Sequence, residues 1–458
     1  MKIIILGAGQ VGSSVASRLS REENDITVVD VDPGKLRELQ DKLDIRGVVG
    51  NASHPRVLTR AGAEDADMIV AVTNSDEINM IACQVAYTIF QTPTKIARVR
   101  AGEYLDYPEL FSGEHCPVDV LISPERLVTD YVRHLIEYPG ALQVLDFADG
   151  RAQLVAVEIG SNDVLTGLRI RDLSKVLSSG KEIRVAGIFR HEMPIIPDGD
   201  TAMTVGDTVF FLAARQDIRG VMEELRELES PVRRVIIAGG GNIGLNLAAA
   251  LEDRYHVKII ERGKERAEQI AEELEKSIVL RGDCTDEDLL REENIDQTDV
   301  YCALTDDDEA NVLSSMLAKR LGARKVLSLV NRMSYVDMIE AGTIDIAISP
   351  QQITIGGLLT HVRKGHMVRV HSLRRGAAEA IEAVAHGDAG SSRVVGRTIE
   401  EIELPSGATI GGIIRGEDLI IAHHDTKVES EDHVVLFVVD RRSIGEIERL
   451  FQVGVTFM

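Results

Sequence analysis

MKIIILGAGQVG (Met1–Gly12) and RRVIIAGGGNIG (Arg233–Gly244) carry one pattern twice, displaced by 232 positions from Lys2 to Arg234. Each is an unbroken aliphatic run followed by Gly-x-Gly-x-x-Gly. A run with no polar alternation reads as a strand covered on both faces, which is the habit of a parallel sheet flanked by helices. The match extends outward in both copies. ITVVD (Ile26–Asp30) pairs with VKIIE (Val257–Glu261), GNAS (Gly50–Ser53) with GDCT (Gly282–Thr285), and TNSDEIN (Thr73–Asn79) with TDDDEAN (Thr305–Asn311). Strands at 2–6 and 26–30 alternate with helices at 10–20 and 34–42, the rhythm of a Rossmann-type α/β domain.

A second pair of segments repeats at an offset of 225, from Val185 to Ile410: VAGIFRHEMPIIPDGDTAMTVGDTVFFL and IGGIIRGEDLIIAHHDTKVESEDHVVLF. Short strands broken by Gly, Pro and Asp precede one helix in each (Gly220–Leu228; Ile444–Phe451), a small α+β module. The expected organisation is therefore two Rossmann-like parallel-sheet domains, N1 (1–123) and N2 (231–348), each followed by a small α+β domain, C1 (141–230) and C2 (372–458). Glu229–Ser230–Pro231 is a plausible boundary between the copies. Connecting helices are expected at 124–140 and 349–371, both opening with Ser-Pro (Ser123–Pro124; Ser349–Pro350). In the first, Leu127, Val128, Tyr131, Leu135 and Ile136 recur at helical spacing. That stripe fits a helix on its own sheet and equally a crossover helix buried against a neighbouring unit.

The glycines carry chemistry because of where they stand. Gly7, Gly9 and Gly12 follow a strand and open a helix, and Asp30 ends the next strand, 18 residues after Gly12. Glycines let a backbone approach a pyrophosphate, the helix start offers free N–H groups, and the carboxylate accepts from ribose hydroxyls. Gly239, Gly241, Gly244 and Glu261 repeat the set. A carboxylate repels a 2′-phosphate, so NAD(H) is favoured over NADP(H), with adenosine phosphates also open. Ligands sit beyond the carboxyl ends of parallel strands. This brings in Asn51 and Ala52 after the third strand, Thr73 and Asn74 after the fourth, and Arg98 at the fifth, as a phosphate contact or else a surface ion pair. Aligned on Lys95 and Lys325, Arg98 faces Ser328 in N2, or Arg332 with a shifted gap, and Asn51 and Asn74 face Asp283 and Asp306. N2 is thus the more negative cleft and the weaker expected binder of metal-free ATP.

Other classes of function fit poorly. A formal charge of -23 disfavours nucleic acid and anionic lipid as direct partners. The longest apolar runs, such as Val434–Val439, are strand-sized, so no direct membrane insertion is expected. Four cysteines without a CxxC (Cys83, Cys116, Cys284, Cys302) suit buried thiols of a reducing, cytoplasmic compartment. There is no GxxxxGK[ST] for P-loop hydrolysis and no Tyr-x-x-x-Lys in the N domains. His54 has Asp286 at its matching position, Cys116–His115 lacks a third member, and neither His361, His366 and His371 nor His423, His424 and His433 has metal-ligand spacing. No catalytic residue and no metal site is expected.

Over essentially its whole length the chain resembles the tandem RCK (KTN) regulatory proteins of Trk-type potassium uptake. The resemblance lies in MKIIILGAGQVG, SHPRVL, GAEDADMIVAVTNSDE, IEYPGALQV, GGGNIG, DIAISPQQ, SLRRGAAEAIEAVAHGD and SRVVGR. It implies a homo-tetrameric ring on the cytoplasmic face of the inner membrane. The ring would be held there by a channel subunit of TrkH or TrkG type, bind NAD(H), ATP or ADP in the N domains and pass their occupancy to the pore. Carried over by position are the loop Gly7, Ala8, Gly9, Gln10 and Val11, with Asp30, Thr73, Asn74 and Arg98. In N2 they are Gly239, Gly240, Gly241, Asn242 and Ile243, with Glu261, Asp283, Cys284 and Thr305. Gly50–Asn51 departs from the Gly-Asp of many RCK domains.

Overall fold

A computed structural model describes residues 1–20, 24–111, 115–161, 163–177, 182–191, 193–225, 231–332, 344–362, 367–373, 377–439 and 443–453. The chain falls into two compact units. One joins Met1–Asp130 to Arg233–Val362, and the other joins Tyr131–Val232 to Arg363–Met458.

The first unit holds both parallel sheets. N1 contains β1 (Lys2–Leu6), α1 (Gln10–Leu19), β2 (Asp25–Asp30), α2 (Pro33–Gln40), β3 (Arg46–Val49), α3 (Pro55–Ala61), β4 (Met68–Ala71), α4 (Asp76–Phe90), β5 (Thr94–Arg98), α5 (Gly102–Leu105) and β6 (Val120–Ile122). Helix α6 (Pro124–Glu137) follows and carries the chain into the second unit, where α7 (Arg215–Leu225) closes C1. N2 repeats the order with β12 (Arg234–Ala238), α8 (Asn242–Leu251), β13 (His256–Glu261), α9 (Lys264–Glu273), β14 (Ile278–Arg281), α10 (Glu287–Glu292), β15 (Val300–Ala303), α11 (Asp308–Leu321), β16 (Lys325–Leu329) and β17 (Ile346–Ile348). The sheets run β3-β2-β1-β4-β5-β6 and β14-β13-β12-β15-β16-β17, parallel throughout. In each, the order reverses beside the glycine-bearing strand, which opens a crevice at the strands' carboxyl ends.

The connecting helix of the second copy, α12 (Pro350–Val362), packs on N1. Its Ile355, Leu358 and Leu359 join the N1 core with Val11, Val15 and Leu19 of α1, and half-buried Leu127 packs against the same cluster. At roughly 1.5–3 kcal/mol for each fully buried aliphatic side chain, this is a substantial contact. Gln351 Nε2 fixes its height by donating to Ser14 Oγ (2.5 Å) and to the Gln10 carbonyl (3.2 Å). Of the residues expected between units of an oligomer, Leu135 and Ile136 are each 1% exposed within one chain. Leu127 and Tyr131 of the same stripe are half-buried.

The second unit holds two antiparallel sheets. C1 has β7 (Ala141–Phe147), β8 (Ala152–Glu158), β9 (Ile183–Arg190), β10 (Met193–Ile195) and β11 (Thr208–Ala214), in the order β10-β9-β11-β8-β7. C2 has β18 (Met367–Leu373), β19 (Ala378–Val384), β20 (Ala408–Arg415), β21 (Asp418–Ile421) and β22 (His433–Val438), in the order β18-β19-β22-β20-β21, then α13 (Ile444–Phe451). The sheets share a core containing Phe147, Phe189, Phe210, Leu212, Ile414 and Phe437. Two boundaries shift from expectation. The C1 helix starts at Arg215 and runs through Gly220, because Ile218, Val221 and Met222 bury a face that outweighs the glycine's cost of about 1 kcal/mol; residues 226–228 lie outside the described residues, as do Glu229 and Ser230. Strand β18 starts at Met367, inside the stretch 349–371 expected to connect domains, because MVRVHSL alternates and pairs antiparallel with β19.

Candidate functional site

The three glycines of N1 do different work. Gly7 has φ +109°, and a Cβ there would lie 3.0 Å from the Val72 carbonyl oxygen; a Cβ on Gly12 would lie 1.9 Å from the Gly7 carbonyl oxygen. Strand, turn and helix can close up only without those side chains. Gly9 has nothing within 4 Å of where a Cβ would be, and it caps α1 with no side-chain hydrogen bond. The amide end of the helix therefore opens into space, which is the geometry that receives a phosphate.

A cavity of about 330 Å³ lies over this loop. Of the expected residues, Gly7, Gly9, Gln10, Val11, Asp30, Asn51, Ala52, Thr73, Asn74 and Arg98 line it, whereas Ala8 and Gly12 support it from behind. Asp30 Oδ2 accepts from the Ala8 amide (2.6 Å) and Oδ1 from the Asp32 amide (2.8 Å), so the carboxylate is held facing the cleft. Asn51 Oδ1 accepts from the amide (2.9 Å) and hydroxyl (2.8 Å) of Ser53, which shapes the third loop. Arg98 donates from Nη2 to the Thr73 carbonyl (2.7 Å), while its Nε is buried without a partner. Burial first, and the Arg100 charge second, pull its pKa below the usual guanidinium value. A desolvated cation with an unused donor is a strained arrangement that an anionic ligand relieves, so these residues fit a nucleotide's phosphates.

Sequence reasoning missed Lys35, Val31 and Ile78 in the lining, and Asn79 beneath it. Asn79, 0% exposed, accepts from the Thr73 amide (2.9 Å) and hydroxyl (2.7 Å) and donates to the Arg98 carbonyl (2.9 Å), tying the fourth and fifth strand ends together. Asn311 makes the same bonds to Thr305 and the Leu329 carbonyl in N2. The signal was present, since Asn79 and Asn311 close the repeated TNSDEIN and TDDDEAN segments.

N2 keeps this skeleton. Gly239 has φ +107°, and a Cβ on Gly244 would meet the Gly239 carbonyl oxygen at 1.9 Å. Asn242 and Ile243 open α8. Glu261 takes the place of Asp30, accepting from the Gly240 amide (2.8 Å) and the Gly263 amide (2.7 Å). Its extra methylene is matched by Gly240 in place of Ala8, where a Cβ would lie 2.9 Å from Glu261 Oε2. Asp283 accepts from the amide and hydroxyl of Thr285; those bonds, and then the Arg262 charge, hold its carboxyl below the usual range. Cys284 is buried and its thiol pushed up in pKa, as a packing group would be. The strand pairing corrects one alignment. Ala71 pairs with Ala97, and Ala303 with Ser328, so Arg98 corresponds to Leu329 rather than Ser328. The two lysines used as anchors are one step out of register: Thr94, not Lys95, matches Lys325. N2 thus has an aliphatic residue, 3% exposed, where N1 has its buried cation. Among the described residues no group of three His, Cys, Asp or Glu could hold a metal ion, and His366 lies outside them.

With the site in place, the comparisons are specific. The TrkA-N domain model matches residues 3–124 and 235–350, and the TrkA-C domain model matches 154–226 and 389–452. The Trk system potassium uptake protein TrkA of Halomonas elongata is 61% identical over 457 residues, covering 100% of both chains. The chain belongs to the TrkA family. The same protein of Vibrio alginolyticus is 56% identical over 459 residues, again covering 100% of each chain. The family is one of potassium transport, and its N and C domains stand here in tandem duplicate. Among solved structures, the chain is similar in fold to "GsuK channel bound to NAD" (TM-score 0.62, 18% identity, 98% of this chain and 78% of that one) and to "GsuK Channel" (TM-score 0.64, 18% identity, 97% and 79%). No helix among the described residues is long and apolar enough to cross a membrane.

Proposed function

We propose that the chain is the nucleotide-sensing regulatory subunit of a Trk-type potassium uptake system. In this reading it binds NAD(H) and adenine nucleotides in its N domains and gates a membrane channel subunit of TrkH or TrkG type. The observation that carries it is the N1 cleft, with its open amide end, its fixed ribose-facing carboxylate and the orphaned donor of Arg98. The lining supports sensing over turnover. Its one carboxylate already accepts two backbone hydrogen bonds, which suits holding a ribose better than moving a proton.

The proposed homo-tetramer at the cytoplasmic face of the membrane needs surfaces at which copies can meet. Helices α4 and α11 stand at matching places in the repeat and both leave apolar side chains bare: Ile81, Tyr87 and Ile89 on one, Leu313 and Met316 on the other. Bare aliphatics repeated on two equivalent helices suit burial against other copies. A nucleotide that favours one arrangement of such a ring by about 1–3 kcal/mol shifts its equilibrium by roughly 5- to 150-fold, and by linkage the channel state shifts nucleotide affinity equally.

Calorimetric titration of the full chain with NADH, NAD, ATP and ADP tests the reading. Saturable binding without consumption is the expected result. Sustained oxidation of NADH with a small metabolite would instead make the chain an oxidoreductase. Light scattering showing a strict monomer at micromolar concentration would remove the ring.

A further inference from the structure

The loop after the second strand changes sign between the copies. N1 reads DVDPGK (Asp30–Lys35), with two carboxylates and one lysine; N2 reads ERGKER (Glu261–Arg266), with two carboxylates and three basic residues. The strand pairing fixes the correspondence: β1 ends beside Val29 and β12 beside Ile260, so Asp30 matches Glu261, Val31 matches Arg262 and Lys35 matches Arg266. Val31 and Lys35 both line the N1 cavity, with Val31 69% exposed at its rim. Arg262 takes that rim position in N2. It is exposed and makes no hydrogen bond or ion pair with the described residues, although its charge helps to lower the carboxyl pKa values of Asp283 and Asp307. Arg266 is anchored by Nε donating to the Gly240 carbonyl (2.8 Å), which keeps a second guanidinium beside the carboxylate. Lys264 is turned to Glu268 (3.8 Å), and Glu265 is exposed on the first turn of α9. At the other end of the cleft the cation is gone, because Leu329 stands where N1 has Arg98.

We propose that N2 takes an adenine dinucleotide carrying a phosphate on its adenosine ribose, recognised by Arg262 at the rim with Arg266 behind it. The inference rests on the reading of N2 as a nucleotide cleft and deepens it. The end of the cleft that holds the ribose has gained a free guanidinium, and the end that holds the pyrophosphate has lost one. Free ATP, with its charge massed at the pyrophosphate end, suits N1. A ligand whose extra charge sits on the ribose suits N2. Guanidinium pairs with phosphate in a fork of two charge-assisted bonds, and an arginine beside the ribose carboxylate is the general means by which this kind of fold accepts a 2′-phosphate. Glu261 opposes it, but both its oxygens already accept backbone amides, and Arg266 is held on the carbonyl of Gly240, whose amide bonds the same carboxylate. Val31 offers N1 no such contact, and Asp32 adds a second carboxylate there in place of Gly263.

The test is calorimetric titration of the full chain with NAD, NADP, 2′,5′-ADP and 3′,5′-ADP, in wild type, Arg262→Val and Asp30→Ala. NADP and 2′,5′-ADP should fill one site per chain, and that site should persist in Asp30→Ala. Arg262→Val, which installs the N1 residue, should weaken both by about tenfold while NAD at N2 changes by less than about twofold. Preference for 3′,5′-ADP would move the recognised phosphate to the 3′ position and overturn the 2′ assignment. Equal loss of NAD and NADP in Arg262→Val, or disappearance of the NADP site in Asp30→Ala, would overturn the proposal outright. Two NAD sites with no NADP site would overturn it while sparing the underlying reading; no nucleotide at N2 under any condition would overturn both.

Discussion

The N1 and N2 clefts share a skeleton and differ in where they keep their cations. Both have a glycine whose side chain would strike the preceding carbonyl oxygen, an acid tied to two amides, and a buried asparagine joining two strand ends. Those parts are set by backbone geometry, and geometry tolerates little change. The charged residues around them are less constrained by the backbone. N1 has Arg98 at the phosphate end, partly buried and underused; N2 has Leu329 there and places Arg262 at the opposite rim. After duplication, drift in the charged residues leaves the fold intact, so the two clefts are free to suit different ligands.

The most disruptive way to probe this comparison is at the skeleton. Gly12→Ala and Gly244→Ala each drive a methyl to within 1.9 Å of a carbonyl oxygen. Each should destabilise its own domain by about 3 kcal/mol and abolish one of two binding events in a titration, leaving the other. Loss of both events from either single change would mean the clefts are not independent.

The C domains give the next largest effect. C2 has His371 where C1 has Leu145, and burial pushes that imidazole from 6.5 down to about 4. The folded chain leaves His371 neutral while the unfolded chain binds a proton. Its stabilisation is therefore complete above pH 6.5 and is lost as pH falls toward 4, by on the order of 3 kcal/mol. Denaturant melts across that window should show the slope, and His371→Leu should flatten it.

Removing the ribose acids tests which cleft binds ATP more tightly. Asp30→Ala should cost about 1–3 kcal/mol of ATP affinity at N1, and Glu261→Ala should touch only the weaker event. If Glu261→Ala removed most of the tight binding and Asp30→Ala spared it, the order of the sites would be reversed. Smallest is Arg98→Leu, which gives N1 the residue of N2. It should weaken ATP by about tenfold and NAD by less, measured in the same titration.

Much of this is legible in the sequence. The duplication, the parallel sheets and the glycine loops are legible because steric necessity leaves few residues able to serve. The destination of the connecting helices was not. Leu127, Leu135 and Ile136 announce a buried stripe, but periodicity is blind to what covers it, and a helix exchanged between copies has the same pattern as one folded back on its own sheet. The match of Arg98 failed by one position because two lysines near a strand start looked like an anchor, whereas register is set by hydrogen bonds along the strand. Lys35 was overlooked because it belongs to the helix after Asp30, and only the turn of α2 brings it back over the cleft.

The lodging of α12 on α1 has an evolutionary consequence. A single N–C unit made alone would leave Val11, Val15 and Leu19 uncovered on one side and carry a greasy helix with no berth on the other. In this chain the helix of the second copy supplies that cover, so the fused gene reads as two partners spliced end to end. Splicing raised the effective concentration of each half for the other to the millimolar range or above, removing any need for the contact to be strong. It also ended the requirement that both halves be the same. In the ring proposed above, such fused pairs would set two kinds of cleft side by side, each open to a ligand of its own.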